Sequence, residues 1–277
     1  MKYIIFSKDR PMQLELALNT CKHFSVDWDK DEKHVLYKPS NGRYKSAYND
    51  LASRFPEVNF VEQDADSDFF SWVKWHLKNT EYVMFIVDDC IFTSEFSTVD
   101  IVKTIEIYNY NILGFSLRLG KNTKYCYPLN IKNEIPMFKE VGNSMLMYDY
   151  TRGIVGDFYY PLEVSSSIYK AEDILKVLTG YTFNNPNELE WYMHISRNLL
   201  RNKPLMLCYK TSVAFCNPIN KVQNVNDNRA GTNTIYSPLS LLKKYEQRYR
   251  IKDSRFYYLV PDGCHQEVDF RFEKGDE

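Results

Sequence analysis

In the first hundred residues, short apolar runs alternate with stretches in which apolar residues return every three or four positions. Short runs bounded by turn residues read as strands, and the periodic stretches read as helices. YIIF (residues 3–6) is a buried strand, SKDRP is the turn after it, and residues 12–24 form a helix with Leu14, Leu18 and Cys21 on one face. HVLYK (34–38) is the second strand. The turn PSNGR leads into a helix over 44–54, followed by the strand NFVEQ and a helix over 69–78 that carries Trp72 and Trp75. YVMFIV (82–87) is the most apolar strand of all. Three strand–helix units feeding a central strand predict a layered α/β sheet, whose ligands collect outside the carboxyl ends of its strands.

Beyond residue 100 the pattern loosens. A helix over 99–109 precedes the strand ILGFSLRLG, and two further helices are expected over 171–179 and 187–201. Residues 217–236 are polar and rich in Asn, which predicts a long surface loop. Such a loop is either a lid, with Lys221, Gln223 and Arg229 brought over a ligand, or simply disordered. A chain of 277 residues fits one domain with a trailing subdomain.

Charge changes the picture by exclusion. The 35 basic and 36 acidic residues are spread without blocks, so there is no electrostatic footprint for nucleic acid. The opening apolar run is too short for a signal peptide and YVMFIV is cut off at Asp88, so neither a leader nor a membrane span is expected. A cytoplasmic protein is the expectation, with peripheral membrane association left open. Cys21, Cys90, Cys126, Cys208, Cys216 and Cys264 form no CxxC pair and read as buried thiols. The 22 Tyr and 17 Phe suit core packing, and also stacking on bases and sugars.

The chemistry concentrates at Asp88–Asp89. A buried strand ending in two carboxylates presents them at the sheet edge, where oxygen ligands suit a hard divalent cation that bridges the phosphates of a nucleotide-sugar. The plainer reading is a solvated turn.

The run YVMFIVDDCIFTSEF resembles the strand and acidic motif of GT-A glycosyltransferases, the nucleotide-diphospho-sugar transferase superfamily, in which a strand ends in Asp-x-Asp or a shortened Asp-Asp. IIFSKDRPMQLELAL is similar to their first strand and nucleotide-gripping turn, and VLYKPSNGRYKSAYNDL to their second strand and helix. The resemblance covers residues 1–120 well and the rest more vaguely. It implies a three-layer α/β/α sandwich with a mostly parallel central sheet, a single domain over 1–277 with a donor half (1–120) and an acceptor half (121–277), and Mn2+ or Mg2+ as cofactor. It departs from Asp-x-Asp at Cys90. Read as Val87-Asp88-Asp89, the motif keeps its last acid, so Asp89 is the direct metal ligand and Asp88 faces the ribose or a metal-bound water.

For the donor, Ser7, Lys8, Asp9 and Arg10 offer backbone donors and two cations at a strand end, against the alternative of an ordinary surface turn. Asn41 is a candidate to read a base edge and Tyr44 or Tyr48 to stack on it, with Arg43 and Lys45 adding charge. Asp64 and Asp66 are either ribose ligands or part of a helix cap. In FNNPNELEWYMHISR, Glu188 and Glu190 fall in the first turn of a helix, where carboxylates suit the dipole. By resemblance to inverting GT-A enzymes, Glu190 is the general base with Arg197 downstream; Glu188 is its competitor, and because the two point about 200° apart around the helix at most one of them faces the cleft. The same resemblance makes His265 a late metal ligand, although a solitary histidine is more often structural.

P-loop, dinucleotide, serine-hydrolase and zincin motifs are absent from the sequence. The reading is therefore transfer of a sugar from a nucleotide-diphospho-sugar to a carbohydrate or lipid-linked acceptor, with a surface-polysaccharide role suggested by the resemblance. The alternatives are a nucleotidyltransferase of similar fold, disfavoured because SKDRP lacks glycine, and a non-catalytic nucleotide- or carbohydrate-binding module.

Overall fold

The computed structural model describes residues 1–64, 68–108, 111–142, 144–222 and 229–275. Its first half follows the predicted alternation: β1 (Lys2–Lys8), α1 (Pro11–Phe24), β2 (Glu32–Lys38), α2 (Gly42–Arg54), β3 (Val58–Glu62), α3 (Phe69–Lys78) and β4 (Tyr82–Val87). A short strand β5 (Cys90–Phe92), α4 (Thr98–Ile107) and β6 (Ile112–Ser116) come next. The second half contributes β7 (Tyr125–Cys126), β8 (Ile131–Lys132), β9 (Lys139–Val141), β10 (Met145–Asp149), β11 (Ser167–Lys170), α5 (Ala171–Val177) and α6 (Pro186–Ile195). It ends with β12 (Leu205–Tyr209), β13 (Ala214–Cys216), α7 (Pro238–Glu246), β14 (Tyr249–Ile251) and β15 (Phe272–Lys274).

Local chemistry sets the helix starts. Asn41, Asp68, Ser97 and Asn185 each accept a backbone N–H in the first turn of α2, α3, α4 and α6, while Pro11 opens α1 and Pro186 opens α6. The helix expected over 187–201 is two pieces, α6 and a 3-10 turn at Arg197–Leu200.

Nine strands form one sheet in the order β3-β2-β1-β4-β11-β6-β12-β10-β9. The run from β3 to β4 and the β6–β12 pair are parallel; β11 and β10 run antiparallel to their neighbours. Because side chains alternate across a strand, Tyr3 and Ile5 of β1 pack with α1, α2, α4 and α7, whereas Ile4 and Phe6 pack with α3, α5 and α6. Both faces are covered, so the three-layer α/β/α sandwich expected from the sequence is the observed architecture.

The two halves of the chain interleave. β11, from the second half, sits between β4 and β6, and α7 returns to α1 and α2, where Arg43 pairs with Glu246 at 2.6 Å. The expected long surface loop begins inside the protein: Asn217 to Asn220 are all buried, with Asn217 bonded to Val268 and Asn220 to Gln13 and the Tyr236 carbonyl. All six cysteines are buried and unpaired. No helix among the described residues is long and apolar enough to cross a membrane.

Candidate active site

Parallel pairing of β1 with β4 brings their carboxyl ends together, so the turn after β1 meets Asp88–Asp89. Asp88 is buried and fully used. Its Oδ2 accepts from Ser7 Oγ (2.9 Å) and the Lys8 N–H (3.1 Å), and its Oδ1 from Arg10 Nη1 (2.9 Å). Tyr48 OH lies 2.6 Å from Ser7 Oγ and accepts the Arg10 N–H at 3.0 Å. Arg10, itself buried, also donates to the Asn220 carbonyl at 2.5 Å, which ties this floor to the chain beyond β13. Asp89 stands 3.6 Å from the same guanidinium and keeps a partly open carboxylate. Burial and the neighbouring Asp88 raise its pKa, against the pull of Arg10.

A second charge cluster borders the same cavity and is joined to the first through Cys216, which bonds Asp89 and lies 3.6 Å from Arg118 Nη1. Arg118, just past β6, pairs with Glu163 at 2.8 Å, both buried. Glu163 also accepts from the Ser165 N–H and the Ser167 hydroxyl. Between them Ser166 is held in the left-handed region (φ 71°), its N–H on the Phe85 carbonyl (2.6 Å) and its own carbonyl taking the Leu117 N–H (3.3 Å). A serine in that conformation is strained, and β4 and β6 on either side hold it there. Glu190 on α6 reaches into this cluster: its Oε2 accepts the Val164 N–H at 3.0 Å, and Tyr160 bonds it from the side. Burial, and then the charge of Glu163, push the Glu190 carboxyl up to about 7. His265 lies behind Arg118, with Nε2 3.4 Å from Nη1; burial and the guanidinium push its pKa down to about 3, so the ring is neutral.

A single cavity of about 1150 Å³ is bordered by both clusters, including Ser7, Lys8, Arg10, Asp88, Asp89, Arg118, Glu163, Glu190 and His265. Lys38 at the end of β2 and Gln63 after β3 line it as well.

Several expected site residues are placed elsewhere. Asn41 is the cap of α2, accepting from the Arg43 and Tyr44 N–H groups, and does not border the cavity. Tyr44 and Tyr48 are core residues; Tyr48 stacks on Tyr37 at 4.5 Å, so neither ring is offered to a base. Asp9, at φ 53°, spends its carboxylate on the Ser40 N–H and hydroxyl, linking the turns after β1 and β2. Arg43 and Lys45 form exposed pairs with Glu246 and Glu62. The cap of α3 is Asp68 rather than Asp64, and Asp66 and Gln223 lie outside the described residues.

Glu188 closes a capping box: its N–H donates to Asn185 Oδ1 (3.0 Å) while its carboxylate takes the Asn184 N–H (2.8 Å) and Asn185 Nδ2 (2.7 Å). Both Glu188 and Glu190 border the cavity, contrary to the expectation that at most one would, but Glu188 is occupied with its helix. Arg197 also borders it and donates to the His194 carbonyl at 2.9 Å.

The predicted metal trio is not assembled. Among the described residues no three His, Cys, Asp or Glu side chains gather into a metal-binding group. Arg10 neutralises Asp88 from within, and His265 points a ring nitrogen at Arg118. Asp89 does fit a hard cation, as one open carboxylate that leaves the remaining ligands to phosphate oxygens and water.

Sequence reasoning passed over Arg118, Glu163 and Asn220. The available signal was charge within apolar sequence, in ILGFSLRLG and PLEVSSSIYK, because a buried charge needs a partner.

No family model matches the chain. It is 29% identical over 254 residues to the bifunctional glycosyltransferase pgtA of Dictyostelium discoideum, a match covering 82% of this chain and 33% of that one. The chain thus spans about a third of the length of this curated relative. Solved structures similar to it include S. aureus TarS 1-349 in complex with UDP (TM-score 0.44, 15% identity, 75% of this chain and 57% of that). The mannosyltransferase PcManGT from Pyrobaculum calidifontis, in complex with GDP-Man and Mn2+, is another (TM-score 0.37, 14% identity, 65% and 47%). The sequence relative is a glycosyltransferase, the class that the motifs resemble.

Proposed function

We propose that the chain transfers a sugar from a nucleotide-diphospho-sugar to an acceptor hydroxyl, with inversion, and that Glu190 is the general base. The observation that carries this reading is the pair of carboxylates Glu163 and Glu190. One is clamped by Arg118, and the other opens on the cavity with its pKa near neutrality, where a base is most effective. The likeness to a glycosyltransferase supports the class.

The donor diphosphate lies against the turn after β1, where Lys8 faces the cavity and Arg10 holds Asp88 in place. Lys38 at the end of β2 and Gln63 after β3 flank the nucleoside, in place of Asn41, Tyr44 and Tyr48. A divalent cation on Asp89 would supply charge to the departing diphosphate. Glu190 takes the acceptor proton as the acceptor oxygen bonds the anomeric carbon. The bond from that carbon to the diphosphate oxygen breaks with its electron pair, and the nucleoside diphosphate leaves. A role in surface-polysaccharide synthesis is one setting for such a transfer.

A thermal-shift screen with UDP-, GDP-, CDP- and CMP-sugars, with and without Mn2+, tests the donor site, since a ligand of the native state alone raises stability. One nucleotide-sugar that stabilises the protein, and whose sugar appears on an acceptor with the opposite anomeric configuration, is the expected result. Stabilisation without turnover on any acceptor points to a binding module instead, and a retained configuration removes Glu190 as base.

A further inference from the structure

The cavity has a wall that the transfer reaction does not use. Leu129 (53% exposed), Ile154 (97%), Val155 (46%) and Trp191 (57%) all border it, and large apolar side chains left this open along one cavity are not what packing alone produces. They come from three segments that the structure fastens together. Asp157 accepts from Asn133 Nδ2 at 2.9 Å, its N–H donates to Asn133 Oδ1 at 3.0 Å, and Cys126 Sγ lies 3.5 Å from its other oxygen. Gly156, at φ 109°, permits that approach, because a Cβ there would stand 2.6 Å from Asn133 Oδ1. The segment with Leu129 is thereby held to the segment with Ile154 and Val155. Tyr160 then stacks on His194 of α6 at 4.2 Å, which joins them to the helix bearing Glu190 and Trp191.

Resting on the glycosyltransferase reading, we infer that this wall binds an apolar group attached to the acceptor sugar, so that the acceptor is a glycoside with a hydrophobic aglycone rather than a free sugar. Two features select this occupant. The wall is continuous with the pocket of Glu190, where the acceptor hydroxyl must sit, so whatever covers the wall is part of the acceptor. The four wall residues are all uncharged and apolar, so the part of the acceptor that covers them is apolar; cations of the lining, among them Lys8, Arg10, Lys38, Arg197 and Arg229, are separate side chains left to the polar parts of the substrates.

The test compares methyl and hexyl glycosides of glucose, galactose, mannose and N-acetylglucosamine, with binding measured by saturation-transfer NMR and transfer measured as KM and kcat. At least one hexyl glycoside should bind about tenfold or more tightly than its methyl partner, since each methylene buried adds apolar contact. Trp191→Ala and Ile154→Ser should each reduce that ratio to about threefold or less by raising KM for the hexyl compound, while Ile107→Ser, an exposed apolar position outside the cavity, leaves it unchanged. Equal binding of the two series, binding of neither, or a preference that survives both wall substitutions overturns the inference. Failure here with nucleotide-sugar turnover intact leaves the glycosyltransferase reading standing; failure of the donor screen removes that reading whatever the glycosides do.

Discussion

The two charge clusters that border the cavity are built to one plan. Each sets two carboxylates against one buried arginine: Asp88 and Asp89 on Arg10, Glu163 and Glu190 beside Arg118. In each, one acid is spent inside the protein on the arginine, a serine hydroxyl and a backbone N–H, and the other is left open to the cavity. The difference lies in the open acid. Asp89 stands 3.6 Å from its guanidinium, whose pull works against the rise that burial and Asp88 impose, whereas Glu190 is held by Val164 N–H and Tyr160 and is lifted to about 7 by burial and Glu163. Burial raises both open acids, and at Asp89 a guanidinium at ion-pair distance works against that rise.

The largest effects should come from removing an arginine. Arg118→Ala leaves Glu163 buried without its partner and should cost about 3–5 kcal/mol in urea unfolding, and Arg10→Ala should cost a similar amount through Asp88. A loss below about 1 kcal/mol at either arginine breaks the shared plan.

Next is Glu190→Gln, which should lower turnover roughly a hundredfold or more with donor binding nearly intact, the usual scale for a positioned base. Glu188→Gln should keep most of its turnover and lose about 1 kcal/mol of stability, as expected of a cap residue. Activity surviving in Glu190→Gln and lost in Glu188→Gln would exchange their roles. That the second of these acids is tied up could not be read from NPNELE alone; the motif shows a cap and two acids, and only the fold shows which acid the cap consumes.

Smaller again is Asp89→Asn, expected to weaken Mn2+-dependent nucleotide-sugar binding about tenfold by calorimetry with folding preserved, since it keeps the shape and loses the charge. Asp88→Asn should instead show itself in stability, because its partners are internal.

The smallest and sharpest effect is in pH. With Glu190 as base, the rate rises with pH through about 7 and falls away below it as the carboxyl gains its proton. Because the folded-state pKa is raised, the fold favours the protonated acid, so this group's contribution to stability is present at low pH and is lost as pH rises through about 7. Glu163→Gln removes the neighbouring negative charge and should move the midpoint of the rate profile down by about one unit. An unmoved midpoint would separate Glu163 from the chemistry.

The sequence by itself determined the strands and helices of the first hundred residues, the placing of Asp88–Asp89 at the end of the most apolar strand, and the helix start that carries Glu188 and Glu190. These are local facts, written in alternation, three-to-four-residue periodicity and caps that reach only a turn ahead. Tertiary structure alone decided that Asp88 is consumed by Ser7 and Arg10 some eighty positions away, that β11 enters the sheet between β4 and β6, and that Asn220 meets Arg10 across 210 positions of chain. It also brought Glu163 to Arg118 and Glu190, turning an unremarked acid into the charge that sets a base. A carboxylate's role depends on which donors and charges lie within a few ångströms of it, and in this protein those neighbours come from every part of the chain.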